Sequence, residues 1–356
     1  MLTGYRRGGF RFASPAGVLA ADGVVERIGA LGAVPAALDA GALVVGLIPF
    51  DPAAACALTV PETVRWGAPL AELPAAARPV RARWVRQEGD PAAYRDGVRS
   101  ALAALASDEV SKVVLARELA LTADGPLDPG AVLGALAARD RDGYVFAAPT
   151  GRGDLVGATP ELLLSRRGDL VVSNPLAGSR PRSADPALDR ATAAELLASA
   201  KDRREHAYVV SAIADALSPL CATIDVPAEP ELIATEAMWH LSTRVTATSE
   251  ATALDLALAL HPTPAVCGTP ADAARELITR TETFDRGFYS GLVGWCDSAG
   301  DGEWAVALRC GEIAGDTARL FAGAGIVAGS DPDAELAETS AKFRTFLSAL
   351  GAEENA

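Results

Sequence analysis

The chain has 356 residues, 50% hydrophobic and 22% charged, with 9 Phe and 5 Trp; that is enough apolar material for a sizeable core, and it excludes a disordered chain. A net charge of −14 opposes contact with a nucleic-acid backbone or an anionic membrane surface, so neither is expected as a partner, and an anionic substrate would need local cations or a metal. The five cysteines (Cys56, Cys221, Cys267, Cys296, Cys310) are scattered and never form a C-x-x-C pair, so neither a zinc knuckle nor a disulfide framework is signalled and a reduced, cytoplasmic location is expected.

The N-terminal "MLTGYRRGGFRFASPAG" has basic residues but no apolar stretch of the length a secretory signal needs. No uninterrupted apolar run of about 18 residues follows anywhere, so no transmembrane helix is expected. Short apolar runs bounded by turn residues predict strands at 42–50, 112–117, 144–149, 161–165, 170–174, 291–296, 303–310 and 318–325. "RRGD" (166–169) and "DSAGDG" (297–302) have hairpin chemistry, which favours antiparallel sheet. Helical periodicity covers 92–107, 129–139, a long region from Pro186 to about Leu220, 253–260, 270–281 and 333–349. Asp185 before Pro186 and Thr269 before Pro270 predict N-cap and first-turn residues. Strands and helices come in blocks, so the fold class is α+β instead of a doubly wound sheet. No domain cut is evident; the Ala/Pro-rich stretch 71–88 is the best candidate for a loose connection.

"FAGAGIVAG" (321–329) does not match G-x-G-x-x-G and no P-loop lysine follows, so a nucleotide site is disfavoured. Its glycine pair at a strand end either makes a tight turn or lets backbone amides approach an anion. Glu161, opening a strand after "GATP", is either a water-facing edge residue or a desolvated carboxyl of raised pKa suited to general acid work. Lys112, opening "KVVLAR", is either a charged strand start or a base. Arg309, in the strand "EWAVALRC", would be costly to bury without an anion, which a structural salt bridge or a substrate carboxylate would supply. "AELAETSAKFRTFL" (334–347) sets Glu335, Glu338 and Lys342 at helical spacing, and Glu338 and Lys342 form an i,i+4 pair that suits any solvated face. With Glu205 from "SAKDRREHAYVV" the two glutamates would instead make a hard oxygen site for Mg²⁺, which spacing alone does not prove.

Taken together, "SKVVLAR" (111–117), "GATPELLLS" (157–165), "NPLAGSRPR" (174–182), "LLASAKDRREH" (196–206), "MWHLST" (238–243), "HPTPAVCGTP" (261–270), "FDRGFYSGLVGWCDSAGDGEWAVALRC" (284–310), "RLFAGAGIV" (319–327) and "AELAETSAK" (334–342) resemble the chorismate-utilising enzymes. The similarity is greatest to the isochorismate synthases of catechol-siderophore pathways. It runs in order over roughly residues 110–345, with "LIPFDP" (47–52) extending it and residues 1–100 matching less well. The resemblance implies a single catalytic domain over 1–356, with antiparallel sheets packed face to face, helices outside and the site in a cleft at the sheet ends. It implies chorismate as substrate, Mg²⁺ as cofactor, a monomer, and a downstream isochorismatase as pathway partner.

Carried over by motif, Lys112 is the general base activating water for attack at ring C2, and Glu161 is the general acid protonating the departing C4 hydroxyl. Glu205 and Glu338 hold the metal, with Glu335 in the same shell. Arg309, Tyr289 and the amides around Gly323 and Gly325 receive the enolpyruvyl carboxylate; Gly178, Ser179, His240, Ala265 and Lys342 line the ring pocket. Ala177 stands where aminodeoxychorismate-forming relatives carry a nucleophilic lysine, and ammonia-using relatives lack a lysine at the Lys112 position, so water is the expected nucleophile. Relatives often carry Glu where this chain has Ala200, a position given no role here. A salicylate synthase that goes on to eliminate pyruvate, a menaquinone-branch isochorismate synthase and a catalytically silent chorismate-binding scaffold are the alternatives.

Overall fold

The computed structural model describes residues 2–73, 80 and 82–352. Its largest sheet has ten strands, in the order β18 (Gly268–Thr269), β8 (Lys112–Ala123), β22 (Thr317–Ile326), β21 (Cys310–Ala314), β10 (Asp154–Thr159), β9 (Tyr144–Pro149), β1 (Phe10–Ser14), β2 (Gly17–Asp22) and β6 (Thr63–Gly67), with β7 (Trp84–Glu88) pairing the far end of β8. A second sheet has nine: β14 (Thr223–Asp225), β17 (Val245–Thr248), β12 (Leu170–Asn174), β11 (Leu162–Arg167), β20 (Gly302–Val306), β19 (Leu292–Cys296), β4 (Val44–Ile48), β5 (Ala57–Val60) and β3 (Glu26–Ile28). A small third sheet holds β13 (Leu176–Pro181), β16 (Met238–Ser242) and β15 (Glu231–Ala234). The ladders are antiparallel throughout the described residues. The helices are α1 (Val34–Asp39), α2 (Pro91–Ala106), α3 (Pro129–Arg139), α4 (Pro186–Ala198), α5 (Ala200–Leu217), α6 (Ala253–Leu260), α7 (Ala271–Thr281) and α8 (Pro332–Leu350).

Strand alternation explains the layering. Along β9, Tyr144, Phe146 and Ala148 point into a core shared with Val45, Leu47, Val172, Val293 and Trp295 of the second sheet, so the two large sheets pack face to face. Val145 and Ala147 point the other way, into a core closed by α3 and by Phe343, Phe346 and Leu350 of α8. The outer face of the second sheet is covered by α1, α5 and α6, through Val209, Ile213 and Leu217 among others. The expected α+β sandwich with helices outside is what the chain forms.

Several local expectations need correction. The long helix expected from Pro186 is two, because Ser199 leaves the helical region and its Oγ accepts from the Asp202 amide to start α5 afresh. Thr269 is no N-cap: it pairs with Lys112 in the sheet and leads through a cis peptide into Pro270, which holds the N-cap position of α7. The strand expected over 303–310 ends at Val306, leaving Arg309 outside it. Within 71–88, β7 forms an edge strand, and residues 74–79 and 81 lie outside those described. The hairpins at "RRGD" and "DSAGDG" form as expected, joining β11 to β12 and β19 to β20.

Two connections between the large sheets matter most. The chain leaves the first sheet at β10 and enters the second at β11 through Pro160 and Glu161, then returns from β20 to β21 through Ala307, Leu308 and Arg309. The crossovers are tied together: the Val306 amide donates to Glu161 O (3.1 Å) and the Ala158 amide to Arg309 O (3.2 Å).

Phe146 is fully buried between the two sheets, so Phe146→Ala is expected to cost about 3–5 kcal/mol, read as a lowered urea midpoint in equilibrium unfolding.

Candidate active site

The crossovers open onto a cleft where they meet β22, the small sheet, α5 and α8. Its lining includes Glu161 and Arg309 from the crossovers, Phe321–Gly325 from β22, Gly178, Ser179 and His240 from the small sheet, Asp202 and Glu205 from α5, and Glu335, Glu338 and Lys342 from α8. Helix α8 is capped by Asp331, whose carboxylate accepts from the Asp333 and Ala334 amides, and closed by left-handed Gly351. Its apolar C-terminal half lies on the first sheet, which carries the i, i+3, i+7 set Glu335, Glu338 and Lys342 inward at its other end. Helix α5 does the same from the second sheet. Two helices on opposite outer layers thus deliver their N-terminal halves to one cleft.

Glu161 immediately precedes β11 and is 3% exposed, so the water-facing reading fails. Burial raises its carboxyl pKa to about 7 even though a backbone hydrogen bond from Leu176 and the charges of Lys112, Arg309 and Lys342 all favour the ionised form. Desolvation outweighs all four.

Lys112 is 1% exposed and its Nζ lies 3.0 Å from Glu205 Oε1. It does not itself line the cleft; Val114, on the same face of β8, does. The passage between Lys112 and Glu205 exists because of Gly325. A Cβ there would stand 2.4 Å from Glu205 Oε1 and 3.2 Å from Lys112 Cε. Gly323 likewise leaves room for the Tyr289 hydroxyl, 3.0 Å from where its Cβ would be. The glycine pair sits inside β22, not at a turn, so the tight-turn reading is overturned and close approach is the reason for it. Beyond Leu320, β22 has no partner strand on its β21 side among the described residues. The Gly323 carbonyl there accepts from Lys342 Nζ (2.9 Å), and in antiparallel geometry its amide points the same way, toward the cleft.

Arg309 lies on the crossover at φ 46°, a left-handed conformation rare for a long side chain, and neighbouring Ser290 is at φ 62°. Among the described residues Arg309 has no ion-pair partner, so the salt-bridge alternative falls away. Burial lowers its pKa, against the opposing influence of Tyr289, Glu338 and Glu161. Tyr289 is 3% exposed, stacks on Phe321 at 5.2 Å between centroids, and burial pushes its phenol up to about 12.

In the small sheet, Gly178 takes φ 78° at an irregularity in the register, and Ser179 faces His240. Ser179 Oγ and His240 Nδ1 are 2.7 Å apart. Burial, then Arg309 and Lys342, lower the His240 pKa well below its usual value, so the ring is neutral; its buried Nε2 has no partner among the described residues. A ligand group would satisfy it. Ala177 and Ala265 complete the lining with small side chains.

The three expected metal ligands share the cleft but are not gathered into a ligand set. Among the described residues no three His, Cys, Asp or Glu side chains converge closely enough to hold a metal. Lysines take their place: Glu205 pairs with Lys112, Glu338 with Lys342 at 2.5 Å, and Glu335 approaches Lys201 at 3.9 Å. The donor chemistry nevertheless fits a hard dication. Burial first, then the charge of Glu338, and more weakly that of Glu205, raise the Glu335 carboxyl to about 7, so Glu335 feels the repulsion of the other two. Asp202, Lys201 and Ser290 also line the cleft and carried no distinguishing signal in the sequence.

Residues 68–351 match the family model described as chorismate binding enzyme. The chain belongs to this family. It is 48% identical to the isochorismate synthase DhbC of Bacillus subtilis (strain 168), with 99% of this chain and 96% of that one covered. The crystal structure of DhbC from Bacillus anthracis superposes with a TM-score of 0.91 at 42% identity, covering 99% of this chain and 98% of that one. The menaquinone-specific isochorismate synthase MenF from Escherichia coli gives a TM-score of 0.88 at 26% identity, covering 98% and 90%. The chorismate-binding fold thus extends over the described chain, N-terminal strands included.

Because the Glu161 pKa rises from 4.5 to about 7 on folding, the folded state holds its proton more tightly. The associated stability is fully present below about pH 4.5 and is lost as pH rises through about 7. Glu161→Gln, neutral at every pH, is expected to shrink the fall in urea midpoint between about pH 5 and pH 8 in metal-free buffer; an unchanged fall would show that Glu161 is not the group responsible.

Proposed function

We infer that the chain is an isochorismate synthase, converting chorismate to isochorismate by adding water at ring C2 with loss of the C4 hydroxyl, and feeding 2,3-dihydroxybenzoate synthesis of the siderophore type. The full-length similarity to DhbC supports the activity and the branch. The observation that carries the mechanism is Glu161: a carboxyl with a pKa near 7, buried beside an unpaired guanidinium, is a proton donor poised at working pH.

In the mechanism we propose, Arg309, the Tyr289 hydroxyl and the Gly323 and Gly325 amides receive the enolpyruvyl carboxylate. The neutral His240 Nε2, held by Ser179, meets a polar group of the ring, and Gly178, Ala265 and Lys342 bound the ring pocket. Lys112 Nζ takes a proton from water as the oxygen attacks C2. The ring double bond shifts, and the C4 hydroxyl leaves with the proton from Glu161, so one water enters and one departs. An ammonium has no lone pair, so Lys112 acts as a base only as the neutral amine, after giving up one proton; Glu205, which pairs with it here at 3.0 Å, is then released to join Glu335 and Glu338. Those three glutamates would hold Mg²⁺, which supplies positive charge for the ring carboxylate.

Ala177 leaves the nucleophile's place to water. The net charge of −14 makes the local cations Arg309 and Lys342 essential for drawing in a dianion. No helix among the described residues is long and apolar enough to cross a membrane. Five free cysteines suit a reducing cytoplasm. We take the enzyme to act there as a monomer, in one catalytic domain, with an isochorismatase drawing the near-balanced equilibrium forward.

The test is incubation with chorismate and Mg²⁺, an EDTA control and chromatographic separation of products. Isochorismate without pyruvate is expected; salicylate plus pyruvate, or no Mg²⁺-dependent product, would overturn the assignment. Glu161→Gln is expected to lose about 10²–10⁴-fold in kcat while chorismate binding persists, and wild-type kcat should fall as pH rises above about 7. Glu338→Ala is expected to weaken Mg²⁺-dependent chorismate binding by calorimetry, and intact metal dependence would remove Glu338 from the site.

A further inference from the structure

Outside the cleft lies a second buried ion pair, Glu282 with Arg286, each side chain 3% exposed. Its hydrogen bonds run to the backbone of the site. Arg286 Nε and Nη2 grip the two Glu282 oxygens (2.8 and 2.5 Å), Nη2 also donates to Val114 O (2.7 Å), and Nη1 donates to Val266 O (2.8 Å). Glu282 Oε1 accepts from the Ala116 amide at 2.7 Å. The guanidinium lies over the Phe50 ring at 4.4 Å.

Strand β18 pairs only Lys112 and Val113 of β8, and β7 joins β8 only from Ala120 onward. Between them, among the described residues, no strand lies beside the edge of β8. The Val114 amide donates to Cys267 O (2.7 Å), Val114 O is taken by Arg286, and the Ala116 amide by Glu282. Donor and acceptor are offered where a neighbouring strand would offer them. The same guanidinium holds Val266, next to Ala265, and its own carbonyl accepts from the Tyr289 amide (2.9 Å). Val114, Ala265, Val266 and Tyr289 all line the cleft, and Lys112 is two residues from Val114.

We propose that Glu282 and Arg286 are positioning residues that stand in for a missing strand segment and fix the spacing between the Lys112 strand, the Ala265 loop and Tyr289. This rests on the isochorismate synthase reading, in which Lys112 must meet a water held over a ring bounded by Ala265. Neither residue touches the substrate, so the consequence falls on the reacting geometry.

Two variants separate positioning from plain stability. Glu282→Gln keeps an acceptor for Ala116 but removes the charge holding the guanidinium; Arg286→Lys keeps the charge but cannot fork to two carbonyls and a carboxylate. The control is Asp22→Asn, which removes the charge that Asp22 of β2 offers to Arg11 of β1 (2.9 Å) and Arg65 of β6 (2.7 Å), away from the cleft. Chorismate turnover is measured with saturating Mg²⁺, at a temperature where circular dichroism shows each protein folded. A 10- to 100-fold loss of kcat is expected, on the order set by a small misplacement, with KM within about threefold. Asp22→Asn is expected to lower Tm while leaving kcat alone. Wild-type kcat in whichever of the two variants folds would overturn the proposal, as would a loss confined to KM. A wild-type enzyme without isochorismate turnover would instead sink the reading on which it rests.

Discussion

Ionic groups leave water at a cost, and this chain gathers many of them around one cleft. A buried charge persists only with a partner or in its neutral form. Lys112 takes Glu205, Lys342 takes Glu338, and Glu161 and His240 lean to their neutral forms. What remains, among the described residues, is Arg309 without an ion-pair partner and His240 Nε2 without a hydrogen-bond partner. A guanidinium and a ring nitrogen so placed suit a carboxylate and a neighbouring polar group. The lysine–glutamate pairs neutralise carboxylates that line one cleft without converging among the described residues.

The scaffold places these groups where regular structure gives way. Glu161 and Arg309 ride on hydrogen-bonded crossovers between two sheets packed on a shared apolar core. Left-handed Arg309 and Ser290 are conformations that only the surrounding core imposes. Gly325 supplies the opposite kind of freedom: an ordinary strand position whose missing side chain admits an ion pair. Helices α5 and α8, anchored by their apolar ends on opposite outer layers, bring the acidic ends together.

Membership of the chorismate-binding family and the fit to DhbC structures make the activity intelligible in these terms. Adding one water and expelling another calls for a base, an acid of pKa near 7 and fixed cations for a dianion. Burial alone raises the Glu161 carboxyl, since its cationic neighbours push the other way.

By itself the sequence determined the family, the α+β class, the central hairpins and the chemical types in the site, because ordered motifs and short-range periodicity are local properties. It gave weaker signals for the N-terminal strands and the small sheet, whose stability comes from partners distant in the chain. It misassigned Arg309 to a strand, since apolar alternation cannot announce a crossover, and merged α4 with α5, since one serine cap is a faint signal inside helical periodicity. Only the tertiary structure decided that Lys112 faces Glu205, that the glycine pair exists for space, and that Glu282 and Arg286 complete the edge of β8. The physical reason is common to all three: pairing, desolvation and steric room are set by which residues meet across the fold, and no spacing along the chain encodes that meeting.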